Sequence, residues 1–208
     1  ARHAAERPED VALGEPGPVP DLPGAFAEST AGATPEWRAE AVRAVIAAAD
    51  TARVTASGSF STAADEIAVA NSKGVRAAGR RTTSHLLTVM TGADGGSGYA
   101  EIAAVDASTI DAAELGREAA DRARASANPV ALEPGEYPVV LAEYAVAEML
   151  EMLAYVGFSA LAIQEGRSFF ETGRPIGSGL VTIRDDGADP AGLPMAFDYE
   201  GVAKEQVT

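Results

Sequence analysis

The sequence lacks cysteine altogether and has very little histidine. Its 208 residues include no cysteine and two histidines, His3 and His85. Without cysteine the chain can form neither disulfides nor thiolate zinc sites, and it has no thiol nucleophile. Two histidines cannot assemble a conventional histidine-rich metal centre. His85 falls within a predicted strand, where we expect its ring to be satisfied by a hydrogen bond. The absence of cysteine agrees with a cytoplasmic location.

Basic residues are also scarce, and long apolar runs are missing. Lysine and arginine total 16 against 31 aspartate and glutamate residues, which gives a formal net charge of −15. A field of this sign repels phosphate backbones, and Arg80-Arg81 is the only adjacent basic pair, so we expect no binding to nucleic acid. No apolar run approaches the roughly 20 residues that span a bilayer, and no signal-like start is visible. We therefore expect no membrane association.

Proline and glycine are concentrated at the start of the sequence. Because proline fixes φ and removes a hydrogen-bond donor, we expect residues 1–34 to form a linker or extended arm. The arm begins abruptly, and the sequence stops at Thr208 where we expect more chain, so we take the sequence to be a fragment of a longer protein. The residues that produce this bias are Pro8, Gly14, Pro16, Gly17, Pro18, Pro20, Pro23, Gly24 and Gly32.

The arm is followed by a predicted helix over residues 35–51. Thr34 supplies an N-cap hydroxyl, Pro35 suits the first helical position, and Glu36 places an acid in the first turn.

A second helix is predicted over residues 111–126. Asp111 and Glu114, three residues apart, form an acidic variant of the capping box. On the exposed face of this helix we expect ion pairs between residues four apart, namely Arg117 with Asp121 and Glu118 with Arg122.

Between these helices the apolar pattern changes to a period of two, which is typical of half-buried strands. We predict strands over residues 54–61, 66–71, 75–81, 82–91 and 99–105. A turn near Ala63 and loops at Asn71–Gly74 and Ala93–Gly98 separate these strands. The loop at Ala93–Gly98 is rich in glycine, but no helix that carries Lys-Ser/Thr follows it, so we do not expect it to bind phosphate. The pattern predicts one antiparallel meander over residues 53–105, flanked by the two helices, and hence an α+β domain over residues 35–128.

Residues 129–208 are predicted to start a second α+β region. Pro129 and Glu133-Pro134-Gly135 mark its boundary. We expect a strand over residues 137–142, a helix over residues 143–155 that stops at Gly157, and a strand over residues 180–184.

Acidic residues cluster twice in this second region, as Asp185-Asp186 and as Asp198 with Glu200. Paired carboxylates can bind a hard cation or shift one another's pKa. Sequences such as Asp-Asp-Gly are also ordinary turn formers, and neither cluster has the spacing of an EF-hand. We therefore expect both clusters to form turns.

Four segments of the second region together resemble the TldD/PmbA (TldE) family of metallopeptidases, whose members are also called modulators of DNA gyrase. The resemblance covers roughly residues 35–208, and it implies that residues 129–208 begin the family's C-terminal, peptidase-like region. At Asp198-Tyr199-Glu200-Gly201 the sequence differs at one position from the family's Asp-Asp-Glu-Gly-type segment. The four segments are residues 135–141, 143–155, 181–187 and 197–202.

Catalytic members of this family carry His-Glu-x-x-x-His on the helix that corresponds to residues 143–155. Their two imidazoles bind zinc, and the glutamate between them acts as the general base. The corresponding positions here are Glu151, Met152 and Val156. Glutamate can coordinate zinc, but methionine cannot act as a base and valine cannot coordinate. We therefore expect a degenerate motif with no catalytic residue, no metal ligands and no cofactor in this sequence, with Met152 and Val156 in the core and Glu151 solvated.

In this family a zinc-bearing TldD-type subunit pairs with a PmbA/TldE-type subunit that lacks the motif, and the pair processes or degrades peptides. The resemblance implies a non-catalytic PmbA/TldE-like subunit that is inactive alone. Its expected partners are a TldD-like catalytic subunit, or a second copy in a homodimer, and unstructured peptide substrates. Two alternatives stay open: an active metal-dependent peptidase that uses residues outside this sequence, and a peptide-binding module that adds extended chains to a sheet edge.

Overall fold

The computed structural model describes residues 13–171 and 173–207, so His3 and the first part of the predicted arm lie outside it. It has the α+β fold predicted from the sequence, with an antiparallel sheet flanked by helices. The elements are α1 (Glu28–Ala31), α2 (Pro35–Ala52), β1 (Thr55–Ala70), β2 (Arg76–Thr91), β3 (Ser97–Ala104), α3 (Ala112–Ala125), α4 (Glu143–Leu153) and α5 (Ala160–Gln164).

The chain forms two compact units. The first contains the residues up to Val130 together with Arg184–Thr208, and the second contains Ala131–Ile183. The domain boundaries expected after residues 34 and 128 stay predictions. None of the helices in the described ranges combines the length and apolarity needed to cross a bilayer.

The sheet of the first unit is a three-stranded antiparallel meander in the order β1-β2-β3. The register between β1 and β2 runs without interruption from Thr55 opposite Thr91 to Ala70 opposite Arg76. The strand break predicted near Ala63 is therefore wrong, as is the division of residues 75–91 into two strands. Alanine lacks the turn chemistry that stops a strand, and the pairing of β1 with β2 continues through both positions.

The turns that connect the strands are confirmed. In the loop after β1, the side chain of Asn71 accepts hydrogen bonds from the amides of Lys73 at 2.9 Å and Val75 at 3.1 Å. Gly74 in this loop has φ +99°, a conformation that favours glycine. In the loop after β2, Gly92 donates to the carbonyl of Gly96 at 2.8 Å.

Helices α2 and α3 of the first unit begin as the sequence predicts. The hydroxyl of Thr34 accepts from the amide of Trp37 at 3.2 Å, and the carboxylate of Asp111 accepts from the amide of Glu114 at 2.9 Å. Helix α2 ends at Arg53, which adopts the left-handed conformation at φ 60°.

Helices α2 and α3 cover one face of the sheet, and the apolar core lies between the helices and the sheet. Small residues of α3 allow the close approach, because a methyl group added to Gly116 would lie 3.0 Å from the Cα of Val45 in α2. The buried apolar residues of this cluster are Val45, Ala49, Leu86, Met90, Ala100, Ala112, Leu115, Ala119, Ala120 and Ala123.

The ion pairs on α3 match the sequence prediction only in part. Glu118 and Arg122 lie 2.8 Å apart, as expected. Arg117 and Asp121 form their direct ion pairs with Glu114 and Arg124 instead, each at a spacing of three residues, although the charge of Asp121 still favours the charged form of Arg117. Spacings of three and four both place side chains on one helix face, so the sequence does not choose between them.

The arm contains more regular structure than expected. Residues 23–25 form a turn of 3₁₀ helix, and α1 follows within the stretch predicted to be extended. The amide of Ala27 donates to the hydroxyl of Thr82 at 2.9 Å, and Asn71 Nδ2 donates to the carbonyl of Gly14 at 2.9 Å. These bonds attach the arm to the sheet.

The second unit departs most from the sequence-based expectation. Residues 137–142 and 180–184 do not form strands within the described chain. A strand needs a neighbour to pair with, and Val140, at 100% exposure, shows that the first segment has none packed over it.

Gly157 also does not stop the helix after α4. The winding continues as a π-helical turn, Ala154–Phe158, and ends at Ser159, whose ψ is 128°. Gly157 is buried against the ring of Phe169, where an added methyl group would lie 2.3 Å from Cε1. The glycine is therefore needed for close packing.

Candidate functional site

The three positions that the family resemblance assigns to the zinc motif lie at the end of α4. Glu151 and Met152 belong to its last turn, and Val156 lies in the π-helical turn that follows. Met152 is 62% exposed and Val156 is 39% exposed, so the expectation that both belong to a core is wrong for the described chain. No element of the described ranges covers this face of the helix, and α4 buries none of its residues.

The residues at these positions do not fit zinc. Zinc sites in proteins use thiolates, imidazoles and carboxylates, and of the three side chains only the Glu151 carboxylate belongs to that set. Within residues 13–171 and 173–207, no group of three or more histidine, aspartate or glutamate side chains is placed to hold a metal ion.

The backbone between the motif positions is wound in an unusual way. Residues five apart, such as Glu151 and Val156, are offset by about 140° around an α-helix, since each residue turns about 100°. A π-helical turn has more residues per turn and reduces this offset, and such turns are frequent at functional sites. Val156 lies in that turn. Glu151, by contrast, lies in the α-helical part that precedes the turn.

His85 has the satisfied ring that the sequence predicts. It lies on the face of the sheet opposite α2 and α3, and its Nε2 is 2.9 Å from Oε2 of Glu101 on β3. The hydrogen bond from His85 lowers the pKa of Glu101 below its usual value, and a bond with Tyr99 acts in the same direction. The arrangement ties two neighbouring strands together, and the ring belongs to no group of three or more metal-ligating side chains among the described residues.

The clustered carboxylates close turns, as predicted. Asp198 Oδ1 accepts from the amides of Glu200 at 2.9 Å and Val202 at 3.0 Å, and Gly201 sits at φ +79°. Asp186 accepts from the amide of Ala188 at 3.0 Å and from the side chain of Gln206 at 2.7 Å. Both carboxylates therefore accept hydrogen bonds from the backbone amides of their own turns.

A cleft that the sequence did not indicate lies in the first unit, along one edge of β2. Strand β2 pairs with β1 over its whole length, whereas β3 covers only Ser84–Thr91. Residues 76–83 have no strand on that second edge in the described part of the chain. We call the pocket beside them the β2 edge cleft; it has a volume of about 730 Å³ and is lined by residues 76–81, by arm residues in the range 17–28, by Ile67 and by residues 194–197.

The walls of the β2 edge cleft come from opposite faces of the sheet. On one face Phe197 is buried against Gly79, where an added methyl group would lie 3.2 Å from the ring, and Arg81 Nη1 is 3.6 Å from Met195 Sδ. On the other face the guanidinium of Arg80 lies over the ring of Phe26, 4.1 Å from its centre. The edge of β2 is therefore left open between two fixed walls.

Positive charge is concentrated along this edge. Arg76, Arg80 and Arg81 of β2 all line the cleft, opposite the arm acids Asp21 and Glu28, and Arg81 is paired with Asp65 at 3.3 Å. Arg76 is exposed, and its side chain makes no ion pair or hydrogen bond to the described residues. The sequence contained one signal of this site, the isolated Arg80-Arg81 pair, but not the arm and the C-terminal segment that enclose it.

Comparison with known proteins supports the resemblance noted from the sequence. Residues 28–127 match the model of the PmbA/TldA metallopeptidase central domain, and residues 134–208 match that of the PmbA/TldA metallopeptidase C-terminal domain. Together the two matches cover most of the chain. No curated protein matches.

Solved structures share the fold. A "putative modulator of a DNA gyrase" from Thermotoga maritima is 20% identical with a TM-score of 0.78, over 94% of this chain and 47% of that one. A protein of similar description from Bacteroides thetaiotaomicron is 22% identical with a TM-score of 0.76, over 99% and 50% of the two chains. TldE from Thermococcus kodakarensis is 19% identical with a TM-score of 0.76, over 98% and 48%.

The chain thus spans about half the length of these relatives. At these identities the likeness of the structures shows the fold, and the matches to the two domain models show the family. The chain belongs to the PmbA/TldD metallopeptidase family.

Proposed function

We propose that the protein is a TldE-like subunit without catalytic zinc, which takes part in peptide processing or degradation together with a zinc-bearing TldD-like partner. The observation that carries the proposal is the chemistry of Glu151, Met152 and Val156 on a helix that otherwise fits the family. The cytoplasm is the compartment that suits a pair whose subunit has no cysteine.

Peptide hydrolysis needs an activated water molecule. Enzymes generate it with a metal ion that lowers the pKa of bound water, or with a base whose pKa lies near the working pH. Met152 stands where the family has its base, and Val156 stands where it has a histidine ligand. Activity of the assembly therefore depends on a partner that supplies these groups.

A mixing experiment tests this proposal. The purified full-length protein, a TldD-type protein and their mixture are incubated with a panel of unstructured peptides, with and without a chelator. We expect chelator-sensitive cleavage when the partner is present, and bound zinc that belongs to the partner. Mass measurement in solution then distinguishes a complex with the partner from a homodimer.

The opposite result has a definite meaning. Chelator-sensitive cleavage by this protein alone, at a rate comparable to that of the pair, contradicts the proposal. It would favour the alternative in which the full-length protein is an active metal-dependent peptidase with residues outside this sequence.

A peptide-binding role by sheet-edge addition is the second candidate function. The specific observation in its favour is the unpaired stretch of β2 over residues 76–83. Binding of this kind is compatible with a non-catalytic subunit, because it would hold substrate without cleaving it.

A further inference from the structure

We propose that the β2 edge cleft binds an extended peptide that carries an acidic side chain, by adding it as a strand next to residues 76–81. The assignment rests on the proposed function, and it names the surface and the class of peptide. Each of its three components, the backbone edge, the shape and the charge, follows from a separate observation.

The backbone edge supplies the main-chain contacts. In an antiparallel strand, successive residues direct their N–H and C=O groups to alternate edges. Half of residues 76–81 therefore present both groups to the side that β3 does not reach. In the described part of the chain, no loop makes a backbone hydrogen bond to residues 77–82. An added strand would satisfy these groups as β3 satisfies those of residues 84–91.

The shape of the cleft limits the ligand to an extended chain. Six residues of strand span about 20 Å at about 3.3 Å per residue. The walls formed by Phe26 and Phe197 lie on opposite faces of the sheet. A strand added in the plane of the sheet would lie between these two walls, as β3 lies in that plane further along β2. The cleft volume of about 730 Å³ lies in the range of roughly 300–1,000 Å³ that is common for ligand sites.

The outer edge of β1 is also unpaired, but it lacks these features. Of β1, only Ile67 lines the β2 edge cleft. The strand also carries the consecutive acids Asp65 and Glu66. We therefore place the peptide on β2.

The charge of the cleft favours an acidic ligand. The protein carries a formal net charge of −15, yet the strand that forms the floor of the cleft has three arginines and no acid over residues 76–81; the two acids of the lining, Asp21 and Glu28, belong to the arm. Arg81 is paired with Asp65 and Arg80 is stacked on Phe26, whereas the exposed Arg76 side chain has no ion-pair partner among the described residues and would meet a ligand carboxylate. A planar guanidinium binds a carboxylate with two parallel hydrogen bonds, so Arg76 would select glutamate or aspartate.

Fluorescence anisotropy with the full-length protein tests the assignment. The probes are labelled eight-residue unstructured peptides that differ only in having glutamate, glutamine or lysine at two positions. We expect the glutamate peptide to bind about five-fold more tightly than the glutamine peptide, and the lysine peptide to bind most weakly. Arg76→Glu should abolish or invert this order.

Matched variants separate the cleft from general charge and size effects. Arg43→Glu changes the net charge by the same amount at an exposed position of α2 and should keep the preference for glutamate. Ala78→Trp fills the cleft and should weaken binding of every peptide by at least five-fold. Ala63→Trp, at an exposed position of β1 outside the cleft lining, should leave binding unchanged.

Backbone methylation of the peptide tests strand addition itself. Methylating alternate peptide nitrogens removes the donors on one edge of the bound strand. One of the two alternations should abolish binding, and the other should be tolerated, because only one edge faces β2.

Three results would overturn the assignment. They are equal effects of Arg76→Glu and Arg43→Glu, tolerance of both methylation patterns, and absence of peptide binding at millimolar concentration. The last would mean that another part of the full-length protein or a second copy fills the edge.

If peptides fail to bind but cleavage remains dependent on the TldD-like partner, only the cleft assignment fails. If cleavage is independent of the partner, the proposed function fails and the binding result stands.

Discussion

Thr30 and Thr82 bind the same carbonyl group, since their hydroxyls donate to the oxygen of Val105 at 2.7 and 2.9 Å. Each hydroxyl also accepts a backbone amide, that of Ala107 for Thr30 and that of Ala27 for Thr82. Both side chains are buried, and all of these groups would lack water if the threonines were removed. The pair joins the arm, the middle strand and the segment after β3 into one unit.

Replacing Thr82 by valine should therefore destabilise the first unit. The change keeps the shape of the side chain but leaves the part-buried amide of Ala27 without this acceptor, a loss of about 1–3 kcal/mol in the free energy of unfolding. Denaturant unfolding measures it. Thr83→Val is the control, since Thr83 is only half-buried and makes none of these bonds, and its effect should stay within about 0.5 kcal/mol. Equal losses at the two positions would argue against this network.

The double variant Thr30→Val/Thr82→Val should show non-additivity. Both hydroxyls donate to Val105, so each single variant leaves the carbonyl with the other donor, and only the double variant removes both. The loss in the double variant should exceed the sum of the single losses by about 0.5–1 kcal/mol. Strict additivity would mean that the shared carbonyl contributes nothing.

Elements that depend on local signals were predictable from the sequence. The starts of α2 and α3 are set by Thr34 and Asp111, whose side chains bond backbone amides three residues away. The turn at Asn71 is equally local. The length of β1 was not predictable in this way, because what carries the strand through Ala63 is its pairing with β2.

The β2 edge cleft could not be predicted for a related reason. Its lining combines the arm, the first half of β2 and residues 194–197, which are more than 110 residues from the strand in sequence. Phe197 packs against Gly79, and nothing in either local sequence indicates the other. The opposite holds for Glu151, Met152 and Val156. Their residue types do not indicate a functional site, and only the resemblance to a family assigns them to one.

Close contact between β3 and α3 leads to a prediction about Gly98. A methyl group there would lie 2.0 Å from the carbonyl oxygen of Ala119 and 2.4 Å from the amide nitrogen of Ala123. Gly98→Ala should therefore force the helix away from the sheet and lower the free energy of unfolding by about 1–3 kcal/mol, as overpacking does. Gly17→Ala is the matched control, because its added methyl group meets nothing within 4 Å. A melting temperature unchanged by Gly98→Ala would contradict this packing.

The pair His85 and Glu101 predicts a small dependence of stability on pH. The hydrogen bond from His85 lowers the pKa of Glu101 in the folded state, so the ionised carboxylate is favoured by folding. This contribution is present above the unfolded pKa, near 4.5, and is lost as the pH falls through the lower folded value. Because both side chains are more than a third exposed, it should amount to only a few tenths of a kcal/mol.

Unfolding of Glu101→Gln at several pH values between 7 and 3 checks this pair. The wild-type protein should be the more stable at pH 7, and the difference should shrink below pH 4.5. In a His85→Gln background the same substitution should have a smaller effect, since the largest cause of the shift is gone. A stability difference that grows as the pH falls would contradict a lowered pKa of Glu101 in the folded protein.

Restoring the motif residues should not create a peptidase. In the variant Glu151→His/Met152→Glu/Val156→His, two imidazoles and a glutamate replace exposed side chains, so folding should be unaffected. A catalytic zinc site also needs a third protein ligand and hydrogen-bonded partners that orient the histidines. No described residue group offers them.

We therefore expect zinc uptake no stronger than that of a control with two histidines on an exposed helix face, Glu36→His/Glu40→His. Calorimetric titration with zinc and cleavage assays with and without a chelator measure both properties. Tight zinc binding combined with chelator-sensitive cleavage by the variant alone would show that the surrounding site is already complete, and that only the ligands separate this protein from its catalytic relatives.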